Sequence, residues 1–258
     1  MVKKLFVGRP LAWPLIFLTT GALLAVCGLP KRGIAQAEGG EPFGSVATGE
    51  AASRTAGQSV QRKPTEFPIA KTPIPTRVMV ESPAETNTAL QIICLFESAP
   101  QNALHGSLAE ANEKLKGLLD AIRRPTLFRG ELGETILISP PAGSFGARRL
   151  LIVGLGDSET FTPQRMELVG TIAYRESARL RVANPFFAPT VLDGGVTKYT
   201  TGQVAEEFYA GFLRAARTEK TLRGAGASPG QMVQSLTYLA GGSHATDTRQ
   251  GIERALAD

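Results

Sequence analysis

Residues 149–163 read RLLIVGLGDSETFTP, and this stretch decides the fold class. Its branched apolar run over 150–153 has no polar interruption, which is typical of a strand buried on both faces. Gly154-Leu155-Gly156 predicts a tight turn after that strand. Thr162-Pro163 predicts the start of a helix, with threonine as the cap and proline in the first turn. A strand, a turn and a helix in this order indicate an α/β protein.

The two glycines of this turn match only part of a nucleotide-binding motif. A dinucleotide-binding turn carries the pattern G-x-G-x-x-G, in which the third glycine lets the helix pack closely against the strand. The third position here is Glu159, whose carboxylate would also repel a pyrophosphate. We therefore interpret Gly154 and Gly156 as turn residues chosen to avoid steric strain, and we predict no cofactor from this motif.

Similar patterns on both sides of this stretch predict further strands and helices. Apolar runs predict strands at Leu90–Phe96, Glu134–Ile138 and Met232–Leu239. Apolar residues spaced three and four apart predict helices over 107–122, after 163, over 202–217 and over 247–257. In the first of these, Ser107 and Glu110 have the spacing of a capping box, and Pro125 ends the helix. This order predicts a mixed central sheet flanked by helices.

The first 37 residues are interpreted as a signal peptide or membrane anchor. A basic head precedes an apolar stretch from Leu11 to Leu29, and Ala35-Gln36-Ala37 offers the small residues that a signal peptidase prefers. Cleavage there is the leading interpretation, so we expect an exported protein, periplasmic or extracellular. The 19-residue apolar stretch is also long enough to span a bilayer uncleaved. Residues 24–27 resemble a lipoprotein box faintly, so membrane anchoring is the alternative.

The net charge of +5 comes entirely from this N-terminal segment. It holds five of the 28 Lys and Arg residues and no acid, which leaves 23 basic against 23 acidic residues in the rest of the chain. Binding to nucleic acid requires an excess of positive charge on the folded part. We therefore predict no nucleic-acid partner, and membrane contact only through the N-terminal segment if it stays uncleaved.

Two further regions follow the signal segment. Residues 38–77 are rich in Gly, Ala, Ser, Thr and Pro and poor in large apolar side chains, so we expect a disordered linker there. Residues 78–258 then form the folded domain, which is long enough for a single core.

The domain carries no sequence pattern typical of a catalytic or metal-binding site. The acids are scattered over predicted helices, and neither His105 nor His244 has a second ligand at metal-binding spacing. No G-x-S-x-G elbow surrounds the loop serines at 144, 158 and 243. Asp193-Gly194-Gly195 is read first as a turn, with a ligand loop as the alternative. Cys94, in an apolar run, is expected to be a buried free thiol. We predict no catalytic, cofactor-binding or metal-binding residue and no cofactor.

Three segments resemble one family. FRGELGET at 128–135, the apolar strand after it and RRLLIVGLGDSETFTP at 148–163 are similar to the N-terminal domain of the leucyl aminopeptidase, or cytosol aminopeptidase, family. Residues 206–220 resemble the helix that joins the two domains of that family. The resemblance covers about 89–258, and it implies a macro-like, three-layer α/β fold.

The resemblance also implies what the chain lacks. Family enzymes hold two divalent metals in a C-terminal domain around an N-T-D-A-E-G-R segment, which has no counterpart here. No site residue is therefore carried over. We expect an exported non-catalytic domain with an assembly or binding role, whose partner is another protein or a second copy of the chain. The alternatives are a split subunit of a metal-dependent leucyl aminopeptidase and a macro-like module that binds a nucleotide or ADP-ribose.

Overall fold

The computed structural model describes residues 64–98 and 103–257. Within these ranges the chain forms a seven-stranded sheet in the order β1-β2-β7-β6-β3-β5-β4. The strands are β1 (Thr65–Ile69), β2 (Thr76–Val80), β3 (Gln91–Leu95), β4 (Thr135–Ile138), β5 (Leu150–Gly154), β6 (Phe186–Ala188) and β7 (Leu236–Leu239). The inner strands β2, β7, β6, β3 and β5 run parallel, and the edge strands β1 and β4 run antiparallel to their neighbours.

Helices cover both faces of the sheet, which gives three layers. They are α1 (Gly106–Lys114), α2 (Leu118–Ile122), α3 (Arg165–Arg179), α4 (Thr201–Gly224) and α5 (Ala245–Arg254). Helices α3, α4 and α5 pack on one face, and α1 and α2 pack on the other. The predicted mixed α/β sheet with flanking helices is therefore confirmed.

The central strands explain why their sequences are continuously apolar. Every residue of β3 and β5 is buried. Along β3, Ile92 and Cys94 face the core under α3 and α4, while Ile93 and Leu95 face the core under α1. A strand between two helical layers needs apolar side chains on both faces, because neither face meets water.

Helices α3 and α4 are in backbone contact where they cross. A Cβ atom at Gly170 would overlap the carbonyl oxygen of Phe208, and a Cβ at Gly211 would overlap the carbonyl oxygen of Glu167. The two glycines therefore let each helix pack directly on the backbone of the other. Phe208 and Phe212 of α4 continue the contact inward to the stacked ring of Phe187 and the edge of Tyr174.

The predicted linker over 38–77 is wrong for its C-terminal part. Residues 65–69 form β1 and residues 76–77 belong to β2, whereas 1–63, with the predicted signal segment, lie outside the described residues. Phe67, Ile69 and Ile74 pack on the core, so these few apolar residues are enough to anchor an edge hairpin to an existing sheet. The composition of this stretch by itself predicts disorder, because large apolar side chains are few.

The predicted helix caps are also wrong, and one predicted helix is broken. The cap of α1 is His105 rather than Ser107, and Glu110 accepts a 2.6 Å hydrogen bond from the Ser82 hydroxyl. Lys116 and Gly117 take left-handed backbone conformations, which divide the predicted helix over 107–122 into α1 and α2. Helix α3 begins at Arg165 after a turn. The Thr162 carbonyl accepts a hydrogen bond from the Arg165 amide, and the Thr162 side chain does not cap the helix.

Strand β6 has no counterpart among the sequence predictions. It is only three residues long, and it lies between β3 and β7 in the middle of the sheet.

The described residues contain no helix long and apolar enough to cross a membrane.

Candidate functional site

A cleft of about 500 Å³ opens at one end of the sheet. Its floor is formed by Val80, Ala188 and Leu239, the last residues of the parallel strands β2, β6 and β7. In open α/β sheets, ligands bind outside the carboxyl ends of the strands, and 300–1,000 Å³ is the usual size range of a small-molecule pocket. This cleft is therefore the candidate functional site of the described chain.

The lining combines apolar walls with hydroxyl and carboxylate groups. Apolar side chains include those of Pro83, Val191, Leu192 and Val204, together with the three floor residues. The polar and titratable lining residues are Glu81, Ser82, Ser107, Thr190, Asp193, Tyr199, Thr200, Thr201, His244 and Thr248. No Lys or Arg occurs among the described residues that line the cleft.

Asp193 holds the start of helix α1 against the cleft. Its carbonyl accepts a 2.9 Å hydrogen bond from the His105 amide, and its carboxylate accepts the hydroxyl hydrogen of Ser107. A Cβ on Gly106 would overlap this carboxylate, and Gly106 has a φ of 47°. Asp193 therefore lies beside the N-terminus of α1, where the helix dipole favours a negative charge.

The predicted turn at Asp193-Gly194-Gly195 is present, and it also faces the cleft. The amide of Gly194 donates to the carbonyl of Thr190, and the amide of Gly195 donates to the carbonyl of Leu192. Gly195 has a φ of 94°, which glycine adopts without strain. The backbone of this motif therefore forms the predicted turn, and Asp193 also lines the cleft. The turn and the alternative of a ligand loop are thus compatible.

Asp247 makes the corresponding contact at the start of α4, in a smaller hollow beside the cleft. Its carboxylate accepts hydrogen bonds from the Gly202 amide at 2.6 Å and the Thr201 hydroxyl at 2.9 Å. Burial raises the pKa of Asp247, but these hydrogen bonds, one from Thr200 and the charge of Arg254 outweigh it, so its net pKa is lowered. The carboxylate is therefore held ionised at the N-terminus of α4.

Glu81 differs from these two carboxylates because nothing in the described chain binds it. It follows β2 directly, lines the cleft and is half-buried, without a hydrogen bond or ion pair. Burial raises its pKa, and the neighbouring charges of Glu85 and Glu66 raise it further. A carboxylate in this position gains from any cation that approaches it.

Thr190 lines the cleft in a strained backbone conformation. Its φ is 51°, which is rare for a β-branched residue. Two hydrogen bonds hold it: its hydroxyl donates to the carbonyl of Cys94 at 2.7 Å and accepts from the Cys94 amide at 3.0 Å. Strain of this kind often occurs at binding sites, where the surrounding structure fixes an otherwise unfavourable shape.

The candidate histidines, serines and cysteine named from the sequence lie in separate parts of the structure. His105 precedes α1, and His244 precedes α5 and lines the cleft. Ser144 donates to a nearby carbonyl, and neither it nor Ser158 nor Ser243 is a lining residue. Cys94 is fully buried, as expected, and burial raises the pKa of its thiol. Across 64–98 and 103–257, no three His, Cys, Asp or Glu side chains are grouped so that they could hold a metal ion.

The FRGELGE segment has a structural role beside the Gly-Leu-Gly turn that follows β5. The Glu134 carboxylate accepts the backbone amides of Gly130 and Glu131 at 2.8 and 3.1 Å, so the loop is closed by its own glutamate. A Cβ on Gly130 would lie 2.9 Å from the carbonyl oxygen of Phe96. The Gly156 amide donates to the Gly130 carbonyl, which joins this loop to the Gly-Leu-Gly turn. The two segments that carried the resemblance are therefore parts of one backbone-packed corner.

The fold and the cleft define an α/β domain with a mixed, mainly parallel sheet and a cleft at the carboxyl ends of its strands. The chain belongs to the cytosol aminopeptidase family: the model of that family's N-terminal domain matches residues 92–220, half of the 258-residue chain. The resemblance seen in the sequence is thereby confirmed. No curated protein matched the chain significantly.

One solved enzyme structure shares the fold of this chain, and two macrodomain structures are similar to it at lower TM-scores. A tomato leucine aminopeptidase mutant matches with a TM-score of 0.52 and 20% identity over 75% of this chain, which spans 37% of that enzyme's length. An Oceanobacillus iheyensis macrodomain mutant matches 75% of this chain and 98% of its own at 13% identity and a TM-score of 0.47. A Trypanosoma brucei macrodomain in complex with ADP matches 70% of this chain and 68% of its own at 14% identity and a TM-score of 0.43.

Sequence reasoning missed most of the cleft. Glu81 and Thr190 were never candidates, because β2 and β6, which position them, were not predicted. A signal was available for the first: the apolar run Val78–Val80 ends at an acid, a serine and a proline. No sequence pattern marks Thr190, because its role depends on Cys94, which is far away in the chain.

Proposed function

We propose that this chain is an exported, non-catalytic domain that acts by binding. The observation that carries the proposal is the cleft of about 500 Å³ at the carboxyl ends of β2, β6 and β7. Its size and position are those of a ligand site. Membership of a family N-terminal domain, rather than of a metal-holding segment, supports the same role.

The hydrogen bonds within the cleft support binding rather than bond-making chemistry. The Ser107 hydroxyl donates to Asp193, the Thr190 hydroxyl donates to a backbone carbonyl, and the Thr201 hydroxyl donates to Asp247. No histidine side chain accepts a hydrogen bond from any of these three hydroxyls in the described chain, as it would in a serine–histidine pair. These hydroxyls hold the shape of the cleft.

Hydrolysis of leucine p-nitroanilide by the purified chain, with added Mn²⁺ or Zn²⁺, tests this proposal. We expect p-nitroaniline to be released no faster than in a buffer blank without the protein. Turnover that follows the protein peak through size-exclusion chromatography would overturn the non-catalytic role, whereas turnover in other fractions identifies a contaminating peptidase.

A second candidate is a split subunit of a metal-dependent leucyl aminopeptidase. It is favoured by one observation, namely that the chain spans 37% of the length of the tomato enzyme. On this alternative the chain is inactive alone and becomes active when a separately encoded catalytic chain is added. Activity in the mixture, with none in either part, would support it over the binding role.

The ADP-ribose alternative places a nucleotide in the same cleft. Position favours it, but the lining counts against it, because two carboxylates and no Lys or Arg line the described cleft. We expect a flat calorimetric trace when ADP-ribose is titrated into the protein.

Export and partnership complete the proposal. A basic head, an apolar stretch and Ala35-Gln36-Ala37 support secretion with cleavage, and an uncleaved anchor is the alternative. Fractionation of producing cells, with the mature N-terminus read by mass spectrometry, distinguishes the two: a chain starting at Glu38 supports cleavage. For the partner we propose a second copy of the chain or another protein, as the family resemblance implies.

A further inference from the structure

We propose that the cleft binds a small ligand that carries a primary ammonium group on an apolar body. This inference rests on the proposed binding function and names the class of ligand. It follows from the charges in the cleft, from the groups at the neighbouring helix starts and from the apolar walls.

The first argument is the unbalanced charge of the lining. Glu81 and Asp193 are acidic, and no Lys or Arg among the described lining residues offsets them. Glu81 has no hydrogen bond or ion pair in the described chain and is half-buried, so the hydration that burial removes is not replaced by a partner there. A cation that reaches this carboxylate replaces the solvation that burial removed, whereas an anion meets repulsion.

The second argument concerns the helix starts around the cleft. Helices α1, α4 and α5 all begin among lining residues. A helix N-terminus attracts anions, and phosphate groups often bind there. In this chain the carboxylate of Asp193 lies at the start of α1, and that of Asp247 binds the Gly202 amide at the start of α4. The protein's own carboxylates thus lie at two of these helix starts, so an anionic ligand there meets a like charge.

The third argument is the wall of the cleft. Val80, Pro83, Ala188, Val191 and Leu239 line the same cleft as the two acids with apolar side chains. Such a wall favours a hydrocarbon body, because the transfer of apolar surface out of water is favourable. A ligand that combines an ammonium group with an apolar body matches a lining that combines acids with apolar side chains.

A series of three ligands with one skeleton tests the charge preference. The probes are 4-phenylbutylamine, 4-phenylbutanol and 4-phenylbutanoate, titrated calorimetrically into the intact chain at low and at physiological salt. We expect the amine to bind most tightly, the alcohol more weakly and the carboxylate not measurably, and we expect added salt to weaken only the amine. Tighter binding of the carboxylate, or of ADP-ribose, overturns the inference and leaves the binding function standing.

Two matched variants then locate the charge. Glu81→Gln removes the unpaired carboxylate without breaking a hydrogen bond of the described chain, and we expect it to weaken amine binding about fivefold while alcohol binding is unchanged. Glu113→Gln is the control, because Glu113 is exposed on α1 and is not a lining residue. Equal loss in both variants, or none in Glu81→Gln, overturns the inference. Absence of binding by any probe overturns both this inference and small-ligand binding in the cleft.

Discussion

At the scale of single residues, two buried tyrosines have opposite hydrogen-bonding situations. The Tyr209 hydroxyl lies 3.0 Å from the Thr76 hydroxyl and also reaches the Ile74 carbonyl. The Tyr238 hydroxyl is fully buried and has no hydrogen-bond partner among the described residues. Burial raises the pKa of both phenols. A buried hydroxyl without a partner costs stability, whereas a bonded one contributes to it.

The tyrosine pair yields a matched prediction. We expect Tyr238→Phe to raise the free energy of unfolding by about 1 kcal/mol, because an unsatisfied group is removed without a change in ring packing. We expect Tyr209→Phe to lower it by about 1 kcal/mol, because a hydrogen bond is lost. Urea unfolding of both variants measures the difference. A loss of stability in Tyr238→Phe equal to that in Tyr209→Phe would contradict the assignment.

The carboxylates around the cleft give a pH prediction with two signs. The folded pKa of Asp247 is lowered, so its contribution to stability is present above its ordinary pKa of 3.8 and is lost as the pH falls through the folded value. The folded pKa of Glu81 is raised, so its ionisation disfavours the fold at neutral pH and has no effect below its ordinary pKa of 4.5.

Thermal unfolding between pH 3 and pH 7 tests both signs. We expect Asp247→Asn to be less stable than the parent at pH 7, with a difference that shrinks as the pH falls below about 4. We expect Glu81→Gln to be at least as stable as the parent at pH 7, with no difference at pH 3. Constant differences across this range would show that the substitutions act through packing instead of ionisation.

At the scale of secondary-structure elements, the crossing of α3 and α4 depends on two glycines. Gly170 and Gly211 each lie against the backbone of the other helix, so neither position has room for a methyl group. Gly224, at the end of α4, has no neighbouring atom within 4 Å of the place of a Cβ. The same substitution therefore has opposite consequences at these positions.

We expect Gly170→Ala and Gly211→Ala each to lower the free energy of unfolding by about 2 to 3 kcal/mol, because the helices must separate. We expect Gly224→Ala to raise it by up to about 1 kcal/mol, since alanine restricts the unfolded chain and favours a helix. Chemical denaturation followed by circular dichroism measures all three. Equal effects at the three positions would mean that the close crossing does not determine stability.

At the scale of the whole molecule, one edge of the sheet carries exposed apolar side chains. Strand β4 is an edge strand, and Leu137 on it is 40% exposed. Leu132 and Leu168 are each 42% exposed; Leu132 belongs to the FRGELGE loop, and Leu168 of α3 lies close to Gly133 of the same loop. An unpaired strand edge with neighbouring apolar side chains favours association.

We expect the chain to elute as an oligomer at concentrations of tens of micromolar, and the double variant Leu137→Lys, Leu168→Lys to elute as a monomer. Light scattering coupled to size-exclusion chromatography measures the mass. Leu222→Lys is the control, because Leu222 is 41% exposed on α4 and away from this edge, so it should leave the mass unchanged. A monomeric parent, or an oligomeric double variant, would contradict a role of this edge in assembly.

The sequence by itself determined the fold class, the buried strands β3 and β5, the amphipathic helices and the family, because each depends on residues that are neighbours in the chain. Apolar runs and 3.6-residue spacing are local signals, and the FRGELGE and VGLG segments are short enough to be read directly. The turn at Gly154 and the burial of Cys94 were predicted for the same reason.

Only the tertiary structure decided the edge hairpin, strand β6 and the cleft. The segment before Val78 contains few apolar residues, and it is ordered through the pairing of β1 with β2 and of β2 with β7. Glu81 lines the same cleft as Thr190 and Asp193 only because β2 and β6 end at the same side of the sheet, since Glu81 is far from both in the chain. Ser107 and Glu110 had the spacing of a cap, but Asp193 and Ser82 offer them stronger partners across space. Long-range pairing outweighs local preference wherever a buried or strained group must be satisfied, and the cleft is built from such groups.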